Sequence, residues 1–193
     1  MYRSKLYVLF LIPIFMLNGC ISSLWTGATL VYDRHNVYKK FYDYQLAVQA
    51  NHLLFQDRML KQEGCYLDLA VFKGDILLAG HLPSKKLRHL AHMRLKSLTG
   101  YREIFFQVAV YSGQANDLID TWLTTKIRSQ ILADADIDPN AFKIITIDKI
   151  VYIMGDVRPK QADQVLSIAR NTEGVVRVVK LMRYLNLSET PAG

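Results

Sequence analysis

The stretch Lys73-Gly74-Asp75-Ile76-Leu77-Leu78-Ala79-Gly80 has a counterpart 75 positions on, Asp148-Lys149-Ile150-Val151-Tyr152-Ile153-Met154-Gly155. Each opens on a turn signal, runs through a short apolar stretch and stops at a glycine. Ahead of the first, Leu67, Leu69 and Val71 alternate with Asp68 and Ala70, and ahead of the second, residues 142–147 form another apolar run. Both therefore read as β-hairpins. A helix is expected after each glycine. Pro83-Ser84 opens one with Leu87, Leu90, Ala91, Leu95 and Leu98 on one side. Pro159 opens the other, carrying Ala162, Val165, Leu166 and Ala169. Gly100 and Gly174 stop these helices, and a third strand follows, over residues 104–110 and 175–185.

Upstream of each hairpin the apolar period is helical. Leu46, Ala50, Leu53 and Leu54 mark a helix over residues 44–60, and Leu123, Ile127 and Ile131 mark one over residues 117–132. The chain is thus an internal duplication. Each unit reads α-β-β-α-β, which predicts an α+β fold of two tandem domains. Each domain is a small three-stranded mixed sheet packed on one face by two helices. The right-handed crossover rule makes the third strand parallel to the second, and we expect it to lie beside the first. The domains are expected over residues 44–111 and 116–187, with a tail at 188–193. Residues 116–187 hold two helices and three strands and are expected to fold alone.

Before the first unit lies a stretch of another kind. Arg3 and Lys5 precede an apolar run over residues 6–17, which is about 12 residues and too short to span a bilayer. Leu17-Asn18-Gly19-Cys20 closes it and resembles a bacterial lipobox. That resemblance implies a signal peptide over residues 1–19, thioether lipidation of Cys20 and N-acylation of the new terminus. With several acyl chains at about 0.8 kcal/mol per buried methylene, such an anchor is permanent. Ile21 is not the aspartate of an inner-membrane retention signal, so the outer membrane, on its periplasmic face, is the expected location. Residues 20–43 read as an aromatic-rich tether with no regular period.

The chain carries a formal net charge of +7, all of it in the first half. Residues 21–113 hold 12 basic and 7 acidic side chains, and residues 114–193 hold 10 of each. A basic half beside a membrane points to an anionic lipid surface; nucleic acid is no partner for an exported protein. With Cys20 lipidated only Cys65 remains, so no intramolecular disulfide is available and the fold rests on its core.

Catalytic signatures are missing: there is no glycine-rich phosphate loop, cysteine pair or nucleophile elbow. No enzyme activity and no cofactor are expected. His89 and His92 share a helix face, with His81 upstream, but Lys85, Arg88 and Lys96 crowd that stripe and repel a cation, so no metal site is expected. Lys85, Arg88, His89, His92 and Lys96 instead form a basic surface, either a solvated helix face or a lipid-facing one. Trp122 lies round from the core stripe of its helix, near Leu118 and Lys126. Two roles are open to it: insertion at a bilayer interface, or plugging the seam between the repeats.

The unit order, the "ILLAG" and "VYIMG" runs before a helix, and the glycine before the last strand resemble the BON domain. The resemblance is strongest across residues 116–132 ("NDLIDTWLTTKIRSQIL") and 151–178. Two copies behind a lipobox resemble the dual-BON outer-membrane lipoproteins. This implies a non-enzymatic protein that binds anionic phospholipid, phosphatidylglycerol or cardiolipin, and supports envelope integrity. It also implies that the first helix of the second domain reads the lipid, through Trp122 and more loosely Leu118, Ile119 and Lys126. The alternative is an adaptor that docks on an envelope-assembly or peptidoglycan-remodelling factor. Two departures from the family are the tether's His35-Asn36-Val37-Tyr38-Lys39-Lys40 and the last strand's "VVRVVKLMRYL".

Overall fold

The computed structural model describes residues 29–56, 58–114 and 116–185, and within them both repeats follow one order of elements. Helix α1 (Thr29–Phe55) leads to β1 (Tyr66–Phe72), β2 (Asp75–Leu82), α2 (Lys85–Lys96) and β3 (Glu103–Val110). Helix α3 (Asp117–Ala133) leads through a 3-10 turn (Pro139–Ala141) to β4 (Phe142–Ile147), β5 (Ile150–Val157), α4 (Pro159–Asn171) and β6 (Arg177–Tyr184). The signal stretch, Cys20 and the tail at 188–193 lie outside the described residues.

The hairpins close through two-residue turns in which both central residues have positive φ: 51° and 81° at Lys73 and Gly74, 54° and 59° at Asp148 and Lys149. That is the type I′ turn, whose twist matches that of the flanking strands. Gly80 is required for a different reason. Its φ is 125°, and a Cβ there would stand 2.0 Å from the Tyr66 carbonyl oxygen on the paired strand.

Each sheet is mixed, but its order corrects the expected one. The third strand lies beside the second, not the first: β1-β2-β3 and β4-β5-β6, with β1–β2 and β4–β5 antiparallel, β2–β3 and β5–β6 parallel. The crossover rule sets direction and hand without choosing the neighbour. Burial chooses it. All eight residues of β2 are buried, the signature of a central strand covered on both faces, whereas β1 exposes Asp68 and suits an edge.

Three cores account for that burial. Leu46, Ala50 and Leu54 of α1 pack with Leu87, Ala91 and Leu95 of α2 over Ile76 and Leu78 of the first sheet. Ile127 and Ile131 of α3 pack with Ala162, Val165 and Leu166 of α4 over Ile144, Val151 and Ile153 of the second. The third core lies between the repeats, where Ala70, Leu77 and Ala79 meet Ile147, Tyr152, Met154 and Leu181. The sheets thus stack face to face inside a helix–sheet–sheet–helix sandwich. Residues from Lys39 on belong to one compact unit.

The first helix also differs from expectation. It starts at Thr29, inside the expected tether, and ends at Phe55 rather than residue 60. The helical period is masked because apolar side chains stand on its solvent side: Phe41, Tyr44 and Val48 are exposed. Leu60 stays in the core although it lies in the turns that follow the helix.

Candidate functional site

Helix α3 is held at both its start and its inner face. The Asn116 side chain accepts the Ile119 N–H at 3.3 Å, and Asp117 and Asp120 sit in the first turn, where the helix dipole favours negative charge. Leu123, Ile127 and Ile131 face inward. Between them and the helix start, buried Asp120 accepts the backbone N–H groups of Asp148 and Lys149, both at 2.8 Å. Repeat one uses the same clamp: Asp43 of α1 accepts the N–H groups of Lys73 and Gly74 at 2.7 and 2.8 Å. Sequence reasoning missed both aspartates. The available signal was their matching position, some 30 residues ahead of each hairpin turn.

With that face buried, the opposite flank of α3 is open. Leu118 is 85% exposed, Trp122 53% and Ile119 37%. The Lys126 ammonium lies 4.7 Å from the Trp122 ring centroid, a cation–π contact. All four nominated residues thus share one outward flank. Trp122 does not plug the seam, which the third core fills.

The basic helix is less uniform than the sequence implied. Ser84 caps α2 by accepting the Leu87 N–H at 3.2 Å. Lys85, Arg88, His89 and Lys96 are exposed. Arg88 is tied down: its Nε donates to the Val108 carbonyl oxygen at 2.7 Å, and its guanidinium lies 5.2 Å from the Phe106 ring centroid. The His92 ring meets the edge of the same Phe106 at 4.7 Å. Burial there, with Lys96, Arg88 and His89 nearby, lowers the His92 pKa. His81 does not join that pair. It is fully buried, with Nδ1 2.8 Å from Asp148 Oδ2 and Nε2 3.3 Å from the Gly113 carbonyl oxygen. The Tyr111 ring stacks on it at 4.3 Å, and the Tyr111 hydroxyl donates to Asp148 at 2.5 Å. Burial and the neighbouring Asp148 raise the Tyr111 pKa, so it stays a donor.

His81 and Asp148 join the repeats at one end of the seam. At the other, Arg102 donates to Asp75 and to Asp156, while Arg183 donates to Asp75 at 3.1 Å and to Glu103 at 2.6 Å. Fork-shaped guanidiniums suit such paired acceptors. Burial raises the Asp156 pKa, but hydrogen bonds and charge from Arg102, with Lys73 and Arg183, outweigh it, and the net shift is downward. Sequence reasoning did not find this cluster; its members are up to 108 positions apart.

A duplicated helix–hairpin–helix–strand unit, stacked through its sheets and with an exposed tryptophan helix on its outer layer, defines a tandem α+β module. A family comparison names it: residues 119–186 match the BON domain. The chain is 31% identical to the "21 kDa hemolysin" of Actinobacillus pleuropneumoniae over 134 residues, 68% of this chain and 69% of that one. It is 27% identical to "Outer membrane lipoprotein DolP" of Haemophilus influenzae over 189 residues, 95% and 97% of the two chains. This chain belongs to the BON-domain family. Among solved structures it aligns with CdsD of the Chlamydia trachomatis type III secretion system at 9% identity and a TM-score of 0.30, over 73% and 92% of the two chains.

Proposed function

We propose that this chain is a non-enzymatic outer-membrane lipoprotein, anchored through Cys20 on the periplasmic face. Its second BON domain (116–187) docks on anionic phospholipid, phosphatidylglycerol or cardiolipin, and the protein supports envelope integrity. The first domain occupies residues 44–111. The observation that carries this reading is Trp122, half exposed on an open flank with Lys126 over its ring. An indole beside apolar Leu118 and Ile119 suits the headgroup level, and Lys126 adds about 1 kcal/mol next to an anionic surface. The anchor supplies the first of two membrane signals and the helix supplies the second.

Flotation of the unlipidated chain with liposomes tests it. The wild type floats with phosphatidylglycerol or cardiolipin and stays down with phosphatidylcholine. Trp122→Glu abolishes flotation at ~0.15 M salt, because insertion of the indole is not screened, whereas Lys85→Glu with Lys96→Glu weakens it mainly at low salt. Unimpaired flotation of Trp122→Glu overturns the reading. Cys20→Ser leaves an uncleaved precursor without acyl mass; acylation of that variant removes the anchor from the scheme.

The adaptor reading has one observation in its favour. Phe41 and Tyr44, 57% and 67% exposed, form with Val48 an apolar stripe on the outer side of α1. That stripe lies on the opposite helix layer from Trp122, so a bilayer under α3 leaves it in the aqueous space.

A further inference from the structure

The two outer layers of the sandwich differ in charge. Helix α3 carries two acidic and two basic residues. Helix α2 carries five basic residues and no acid. Between Lys39 and Phe55 the one acid of α1 is Asp43, whose carboxylate is taken up by the Lys73–Gly74 turn. Lys39 and Lys40 on α1 and Lys85, Lys86 and Lys96 on α2 are exposed. Along the outer side of α1, in this basic layer, runs the row Phe41, Tyr44, Val48, Asn51 and Phe55, at alternating steps of three and four residues. Its first three members are each at least half exposed. Phe55, partly buried, closes the row under the Lys61 ammonium, 5.6 Å from the ring centroid. The inner side of α1 commits Leu46, Ala50 and Leu54 to the core, so this helix has an apolar seam on each side and a partner on one. Alternating steps of three and four are the spacing that receives a second helix. A free anion or a sugar polymer makes no use of such a row, and a bilayer under α3 lies on the other side of the sandwich.

We propose that the outer side of α1 binds an amphipathic helix of another protein. The apolar seam of that helix packs on Phe41, Tyr44 and Val48, and its acidic flanks face Lys39, Lys40 and the basic side chains of α2. This rests on the adaptor reading and gives the partner its chemistry: the chain bridges a membrane on its α3 side and an acidic helix on its α1 side.

The test puts photoreactive p-benzoylphenylalanine in place of Tyr44 in the full-length chain in cells, and sequences the cross-linked peptide by mass spectrometry. The expected adduct is a segment of another protein that reads as an amphipathic helix with acids beside its apolar positions. The same probe in place of Glu173, beyond the end of α4, gives no such adduct. A synthetic copy of the captured segment binds the unlipidated chain in calorimetry. Val48→Lys weakens that binding by about tenfold or more, and Lys39→Glu with Lys40→Glu weakens it most at low salt. Thermal melts of the ligand-free variants confirm that they fold. Trp122→Glu changes neither adduct nor affinity, so failure here and failure of the liposome reading are distinguishable. A protein adduct whose segment lacks acidic flanks, or an affinity that survives Val48→Lys, overturns the proposal and leaves the adaptor reading standing. A lipid adduct, an adduct with a second copy of the chain, or none at all overturns both.

Discussion

Cutting the chain at its seam tests whether the repeats complete each other. Excising residues 116–187 uncovers the sheet face that meets the first repeat. Ile147, Tyr152, Met154 and Leu181, each 8% exposed or less, lie on it, with Ile145, Ile150 and Val179 packed around them. Exposing a fully buried side chain of this size costs about 1.5–3 kcal/mol, so the four together forfeit roughly 6–12 kcal/mol. A domain's entire stability is about 5–15 kcal/mol. The second repeat keeps its own helix-covered core, but the loss is of the same order as everything that holds it folded. The assay is differential scanning calorimetry with size-exclusion chromatography, on the excised segment and on the unlipidated chain. We expect one cooperative transition for the chain, and for the segment a broad, non-cooperative melt with association through the uncovered sheet. A monomeric segment that melts cooperatively at the midpoint of the whole chain would refute the reasoning, because the third core would then contribute nothing and the repeats would be independent, as their sequence suggests.

Three further outcomes follow from single contacts. Asp120→Ala removes two charge-assisted bonds to the Asp148–Lys149 turn and should cost about 3 kcal/mol in urea unfolding; Asp43→Ala should behave alike in the first repeat, and a neutral result at both would dismiss the clamp. Gly80→Ala, whose Cβ would meet the Tyr66 carbonyl oxygen, should destabilise by on the order of 3 kcal/mol or more, read as a lowered melting midpoint. Asp156 has a folded pKa below its unfolded value, so its contribution is present above the usual carboxylate pKa of about 3.9 and is lost as pH falls through the folded value. The stability gap between wild type and Asp156→Asn should therefore be widest near neutrality and close in acid; a gap independent of pH would contradict this.

Local chemistry wrote the repeat into the sequence. Two-residue turns at 73–74 and 148–149, Pro159 at the first position of α4, and Gly100 and Gly174 with positive φ beyond their helices are readable because each depends only on near neighbours. Trp122 was legible as lying off the core stripe for the same reason: helical period alone puts it on another flank from Leu123 and Ile127. Strand order, the stacked sheets and the true start of α1 were not legible. Apolar runs such as Ile76–Ala79 say that both faces of a strand are covered without saying by what, and here one cover is the other repeat. The exposed Phe41, Tyr44 and Val48 erase the period that would have revealed a longer helix. Polar residues of the seam lay furthest out of reach. His81 stands in an apolar strand and finds its partner at Asp148, and Arg183 finds Asp75 across the whole chain. Such pairs are set by which surfaces meet when the two sheets close on each other, a choice made by shape and charge at a distance that no local pattern records.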